Sequence, residues 1–254
     1  MRLKLCALAL VTWASTAAGA PLFPNSVVSN DLDFIRPGDP SAFACVSQTD
    51  LGRREMPDKR VDTLFSNDVR VFTAQFRDGT AVELWLHPDL RGADVVEPVA
   101  QALGHLPTLM RRQLSHVVIH AGNETAFAED EGRFFVLYDG NIADRISTRD
   151  LQETVFHESV HAAWDVPHAS ARAWRRAQAE DGAFVTAYAA RLPLREDLAE
   201  TALFAWAMHR TPGRLGRDIE AKLRALVPQR LAYLEALFTS QPLFFRVRDE
   251  MPCP

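Results

Sequence analysis

Ten residues, Thr154 to Ala163, constrain this chain more than any others; they read T-V-F-H-E-S-V-H-A-A. Within them His157-Glu158-Ser159-Val160-His161 forms an H-E-x-x-H box. Positions i and i+4 stand one above the other on a helix face, so an α-helix here aims both imidazoles at one point. Glu158 lies about a third of a turn round and reaches a water held at that point. Zinc suits such a set, because it takes neutral imidazole and carboxylate ligands and keeps one position open for water. Leu151, Val155, Phe156, Val160 and Ala162 give the segment apolar surface on more than one side. That predicts a buried helix, rigid enough to hold ligands, with Ser147 or Thr148 as its cap and Asp150 in its first turn.

A bare H-E-x-x-H box also arises by chance, so the third ligand decides. His168 follows His161 by seven residues, with Trp164 where the longer H-E-x-x-H-x-x-G-x-x-H pattern wants glycine and Pro167 between. It is expected in a loop. The better candidate is the strongly helical stretch Arg195-Glu196-Asp197-Leu198-Ala199-Glu200-Thr201. Glu196 and Glu200 share a helix face and would repel each other unless a positive group lay near both. A metal and a metal-bound imidazole meet that need. Glu196 is therefore the expected third ligand, and Glu200 the expected acceptor for the other ring N–H of a ligand histidine.

These residues resemble the gluzincin zinc metallopeptidases, which carry H-E-x-x-H on one helix and a glutamate on a later one. The stretch from Asp181 through Tyr188-Ala189 to Glu196-Asp197-Leu198-Ala199-Glu200 is similar to small secreted bacterial metallopeptidases and to the catalytic region of anthrax lethal factor. The likeness covers roughly residues 150–210. It implies that Glu196 binds zinc, that Glu158 is the catalytic base, and that Tyr188 stabilises the tetrahedral intermediate. Against that role for Tyr188 stands a plainer one, an aromatic packed on a buried helix face shared with Phe184.

The rest of the chain sets the frame. Arg2 and Lys4, the apolar run from Leu5 to Trp13 and the small residues Ser15–Ala20 read as an export signal, residues 1–20. Its apolar run is too short to span a bilayer, which needs about 20 residues. The expected location is outside the cytoplasm, periplasmic or secreted, with no stable membrane insertion after the signal leaves. Cys45 and Cys253 then remain as an even pair, and a disulfide between them is expected over two buried thiols. The net charge of −5 and the absence of a basic patch exclude a nucleic-acid binder. Arg111-Arg112 and Arg175-Arg176 are expected on solvated helix faces.

Residues 21–60, rich in Pro, Ser, Asp and Asn, read as an extended arm lying on a catalytic domain at 61–254, or as a processed propeptide. Asp68–His87 reads as a hairpin turning at Asp78-Gly79, Ala93–Gln113 as a helix interrupted by prolines, and His116–His120 and Gly132–Tyr138 as strands. His87, His105, His116 and His120 lack ligand spacing and read as structural. Helices are expected over Ser170–Ala179, Glu180–Arg191, Arg195–His209 and Leu215–Phe238. The fold class is α+β. The resemblance implies a small twisted, mostly antiparallel sheet on the active-site helix, a helical second half, and a peptide-binding sheet edge within residues 122–138.

The expected function is a zinc-dependent metallopeptidase with a peptide or protein substrate. Two alternatives stay open: a zinc-bearing binding or assembly protein without catalysis, and a hydrolase of a non-peptide amide.

Overall fold

The computed structural model describes residues 19–28, 31–61 and 64–240. Most of the expected export signal, and Cys253 of the expected Cys45–Cys253 bridge, lie outside these residues. Among the described residues no helix is long and apolar enough to cross a membrane.

The chain is an α+β fold around one mixed sheet. Its strands are β1 (Phe43–Met56), β2 (Phe65–Phe76), β3 (Ala81–Leu86), β4 (His116–His120), β5 (Phe127–Glu129) and β6 (Phe134–Tyr138), in the order β1-β2-β3-β4-β6-β5. The β1–β2, β2–β3 and β5–β6 pairings are antiparallel. The two made by β4 are parallel. A parallel step needs a crossover, and α1 (Val96–Leu103) with α2 (Thr108–Gln113) supplies it between β3 and β4. The expected single helix divides at Pro107, where the backbone is extended and α2 begins. Pro98 sits in the first turn of α1, where its missing N–H costs nothing.

β1 lies within the segment expected as an extended arm. It is half-buried to exposed, with no clean alternation, because it is an edge strand whose pairing comes from β2. The sheet therefore crosses the expected boundary at residue 60. β4 and β6 are apolar on both sides. Val117, Ile119, Phe135 and Leu137 face the helices, while Val118, Val136 and Tyr138 join Met56, Val69 and Val71 in a smaller core on the opposite face. That explains why both strands read as unbroken hydrophobic runs. His116 lies between Trp85 and Phe134, with ring centroids 3.5 and 4.5 Å away, as befits a structural histidine.

Arg111 is a correction. It is buried rather than solvated, ion-paired with Asp78 in the β2–β3 turn and hydrogen-bonded to Thr80. It ties the hairpin to α2.

From β6 the chain runs straight into α3 (Asp139–Thr148), turns at Arg149 with φ 63°, and enters α4 (Leu151–Trp164). Sequence reading missed α3, whose Asp-Gly-Asn start looks like a turn. Ser147 and Thr148 consequently belong to α3, and Asp150 occupies the cap position of α4 without a side-chain capping bond. As expected, α4 is buried nearly all round. It continues into one π-helical turn, Asp165–Ala169, then α5 (Arg172–Asp181), α6 (Ala187–Arg191), α7 (Asp197–Arg210), α8 (Arg217–Leu226) and α9 (Pro228–Thr239).

The expected helix over Glu180–Arg191 is cut short. Gly182, at φ 60°, ends α5. The next residues pair with the N-terminal segment instead: Leu22 N–H donates to Val185 O at 2.9 Å, Ala187 N–H to Phe23 O at 2.8 Å and Tyr188 N–H to Pro24 O at 3.0 Å. Only after Thr186, whose hydroxyl accepts from Ala189 N–H, does α6 begin. α7 packs against α4 and α9. Its start is pinned by a buried ion cluster in which Arg230 of α9 holds Asp197 at 2.5 Å and Asp181 at 3.0 Å. Removing one partner of such a pair costs about 3–5 kcal/mol, so the start of α7 is firmly placed.

Candidate metal centre

α4 presents His157 and His161 on one face, and the chain just ahead of α7 brings Glu196 to meet them. His161 Nε2 lies 3.2 Å from His157 Nε2 and 3.2 Å from Glu196 Oε2, and His157 Nε2 is 3.4 Å from that same oxygen. The three ligand atoms can hold a metal ion. Zinc–ligand bonds of about 2.0–2.1 Å in tetrahedral arrangement place the ligand atoms roughly 3.4 Å apart. The observed spacings fit that requirement. Glu196 occupies the cap position of α7, so the rigid start of that helix also fixes the third ligand.

The electrostatics agree with a cation at this point. Burial alone would raise the Glu196 carboxyl, but the imidazoles of His157 and His161 hold it well below the usual carboxylate range. Burial works against charge on His161, yet hydrogen bonds to Asp165 and Glu196 push its pKa up to about 10. Burial raises Glu158 above its ordinary value, against the pull of the two histidines.

Both histidines have a carboxylate behind them. His161 Nδ1 lies 2.7 Å from Asp165 Oδ2, one turn along the chain. His157 Nδ1 lies 3.6 Å from Glu200 Oε1, one turn into α7. The bond to Asp165 orients the His161 ring and fixes which nitrogen faces the metal, whereas His157 Nδ1 is buried beside Glu200 without a hydrogen bond among the described residues. Glu200 was expected here; Asp165 was missed. Its i+4 relation to His161 was visible, but Pro167 marked the segment as a loop, whereas the π-helical turn carries the helix on past it. That turn also sends His168 away from the site, where its Nδ1 meets the Tyr233 hydroxyl at 2.8 Å.

Tyr188 stands at the first turn of α6, half-buried, with its phenol near the Glu196 carboxylate. Burial first, then the Glu196 charge, pushes its pKa up to about 12, which keeps the phenol protonated and able to donate. The plainer role, a helix face shared with Phe184, does not hold. Phe184 precedes the helix and packs under Arg230.

Two cavities meet at this point. One, about 780 Å³, runs along β5 past His161 and Glu196. The other, about 550 Å³, is walled by Pro24, Val27 and Val28 and by Asn141 and Arg145 of α3. They share Ala126, His157, Glu158 and Tyr188. The result is one cleft open on both sides of Glu158, with the edge strand β5 along it. Comparison with known protein families, curated proteins and solved structures finds no match to this chain.

Proposed function

We propose that this chain is a zinc-dependent metallopeptidase of the gluzincin type that cleaves within peptide or protein substrates outside the cytoplasm. One observation carries the reading: three ligand atoms converge at zinc-like spacing with an acid beside them, in a cleft that continues in both directions. His157, His161 and Glu196 would hold the ion. Zinc bound there would supply Lewis acidity toward a water and a carbonyl.

The remaining steps belong to the chain's own residues. Glu158 accepts the water's proton and passes it to the amine nitrogen as the peptide bond breaks. Its raised proton affinity suits both halves of that transfer. The Tyr188 hydroxyl donates to the carbonyl oxygen, where negative charge develops only in the transition state. The free edge of β5 offers backbone N–H and C=O groups to an extended substrate, as an added strand would use them. Chain can continue past Glu158 on both sides, which favours cleavage in mid-chain.

The test is metal content and turnover together. The purified protein is expected to carry about one zinc per chain and to cut members of a mixed peptide library. Glu158→Gln should keep the zinc and lose at least about 10²-fold in kcat. A Glu158→Gln protein as active as wild type on a confirmed substrate would sink the mechanism.

A further inference from the structure

We propose that Ser26, on the N-terminal segment, is a positioning residue of the metal centre: it fixes the Glu200 carboxylate and, through it, the ring of His157. This rests on the metal reading above. Ser26 is fully buried, and its hydroxyl donates to Glu200 Oε1 at 2.9 Å. The same oxygen lies 3.6 Å from His157 Nδ1, while His157 Nε2 faces Glu196 and His161. Glu200 Oε2 is buried with no hydrogen-bond partner among the described residues. All the support this carboxylate has is thus concentrated on Oε1. A buried carboxylate with so few donors is costly, and each donor sets the direction in which it points. With the hydroxyl removed, Glu200 keeps only the long approach from His157.

Ser26 sits in a segment that several other contacts hold in place. Residues 22–24 are held by backbone bonds to 185–188, and Val28 N–H closes a turn on Asn25 Oδ1 at 2.7 Å. Phe23 packs on Phe204 of α7, ring centroids 5.1 Å apart. These contacts hold the segment against α7. The hydroxyl adds a donor to the carboxylate standing behind His157. The same segment walls the cleft through Pro24, Val27 and Val28, so it belongs to the site, and cutting it away as a propeptide would dismantle the support.

The test is a double-mutant cycle read in zinc affinity, by competition with a chelator, alongside the melting temperature of the metal-free protein. Ser26→Ala is expected to weaken zinc binding about 10-fold, and Glu200→Ala by about 10–100-fold. The double variant should bind no more weakly than Glu200→Ala alone, because the serine's effect on the metal runs through the glutamate. Ser26→Ala with wild-type affinity, or losses that multiply in the double variant, would overturn the inference. A change in metal-free melting temperature with unchanged affinity would make Ser26 a packing residue and overturn it equally. Should Ser26→Ala fail to fold, Ser26→Cys keeps the size with a weaker donor and is read in the same cycle. A wild-type chain that binds no zinc defeats the metal reading itself, a result distinct from any of these.

Discussion

The two histidines of the centre stand one helical turn apart, yet their support comes from opposite kinds of structure. His161 leans on Asp165, four residues away in the same continuous helical stretch. His157 leans on Glu200, which belongs to α7, and Glu200 in turn takes a bond from Ser26, 174 residues before it. One side is local and forms with its helix. The other exists only when α4, α7 and the N-terminal segment have docked. The difference teaches that a ligand pair written as a single motif can still depend on two unequal supports, and the weaker link lies where the chain must be brought together.

The largest effect that would sharpen the contrast concerns Tyr188, on the docked side. Tyr188→Phe is expected to lower kcat by about 10²–10³ with zinc affinity and KM nearly unchanged. If zinc is lost instead and the remaining loaded enzyme turns over normally, the hydroxyl serves only to hold Glu196. Next come the two carboxylates themselves. Asp165→Asn and Glu200→Gln should each weaken zinc binding by about 10–100-fold. The asymmetry should appear under mild denaturant: Glu200→Gln should grow worse as the docked segment loosens, while Asp165→Asn should not. Equal sensitivity would break the comparison.

The smallest effect concerns Glu153, which joins the two sides. It is buried in α4 and accepts from Ile35 N–H at 3.0 Å, tying the chain beyond Ser26 to the helix. Burial pushes its pKa up to about 7. The raised value means its contribution to stability is full below the ordinary carboxylate pKa and lost as pH rises through about 7. Wild type should therefore melt lower at pH 8 than at pH 5, and Glu153→Gln should remove roughly 5 °C of that drop. A Gln variant with an unchanged pH profile would place the titration elsewhere.

The same division explains what the sequence disclosed. His157, Glu158 and His161 were legible because helical spacing alone places them. Glu196 and Glu200 were legible because two acids on one helix face ask for a cation. β4 and β6 announced themselves as apolar runs. β1 did not, since an exposed edge strand takes its order from its neighbour rather than from its own pattern. The break after Gly182 was invisible for a related reason: the alanines at 187, 189 and 190 suggest helix, but residues 185–188 spend backbone groups on residues 22–24. Ser26 carried no signal at all. A serine in a Pro- and Asn-rich stretch becomes informative only once the chain folds back upon it.

That return of the chain has a consequence for how the protein is made. Synthesis runs from N- to C-terminus, so a chain grown as far as residue 195 contains both histidines and Glu158 but not Glu196. Ser26 is by then long finished, and its partner at 200 does not yet exist. A chain of that length carries two of the three candidate ligands and an incomplete cleft. The three-ligand group is complete only when the start of α7 has closed against α4, and the carboxylate behind His157 gains its serine donor only when the segment around residue 26 has joined them.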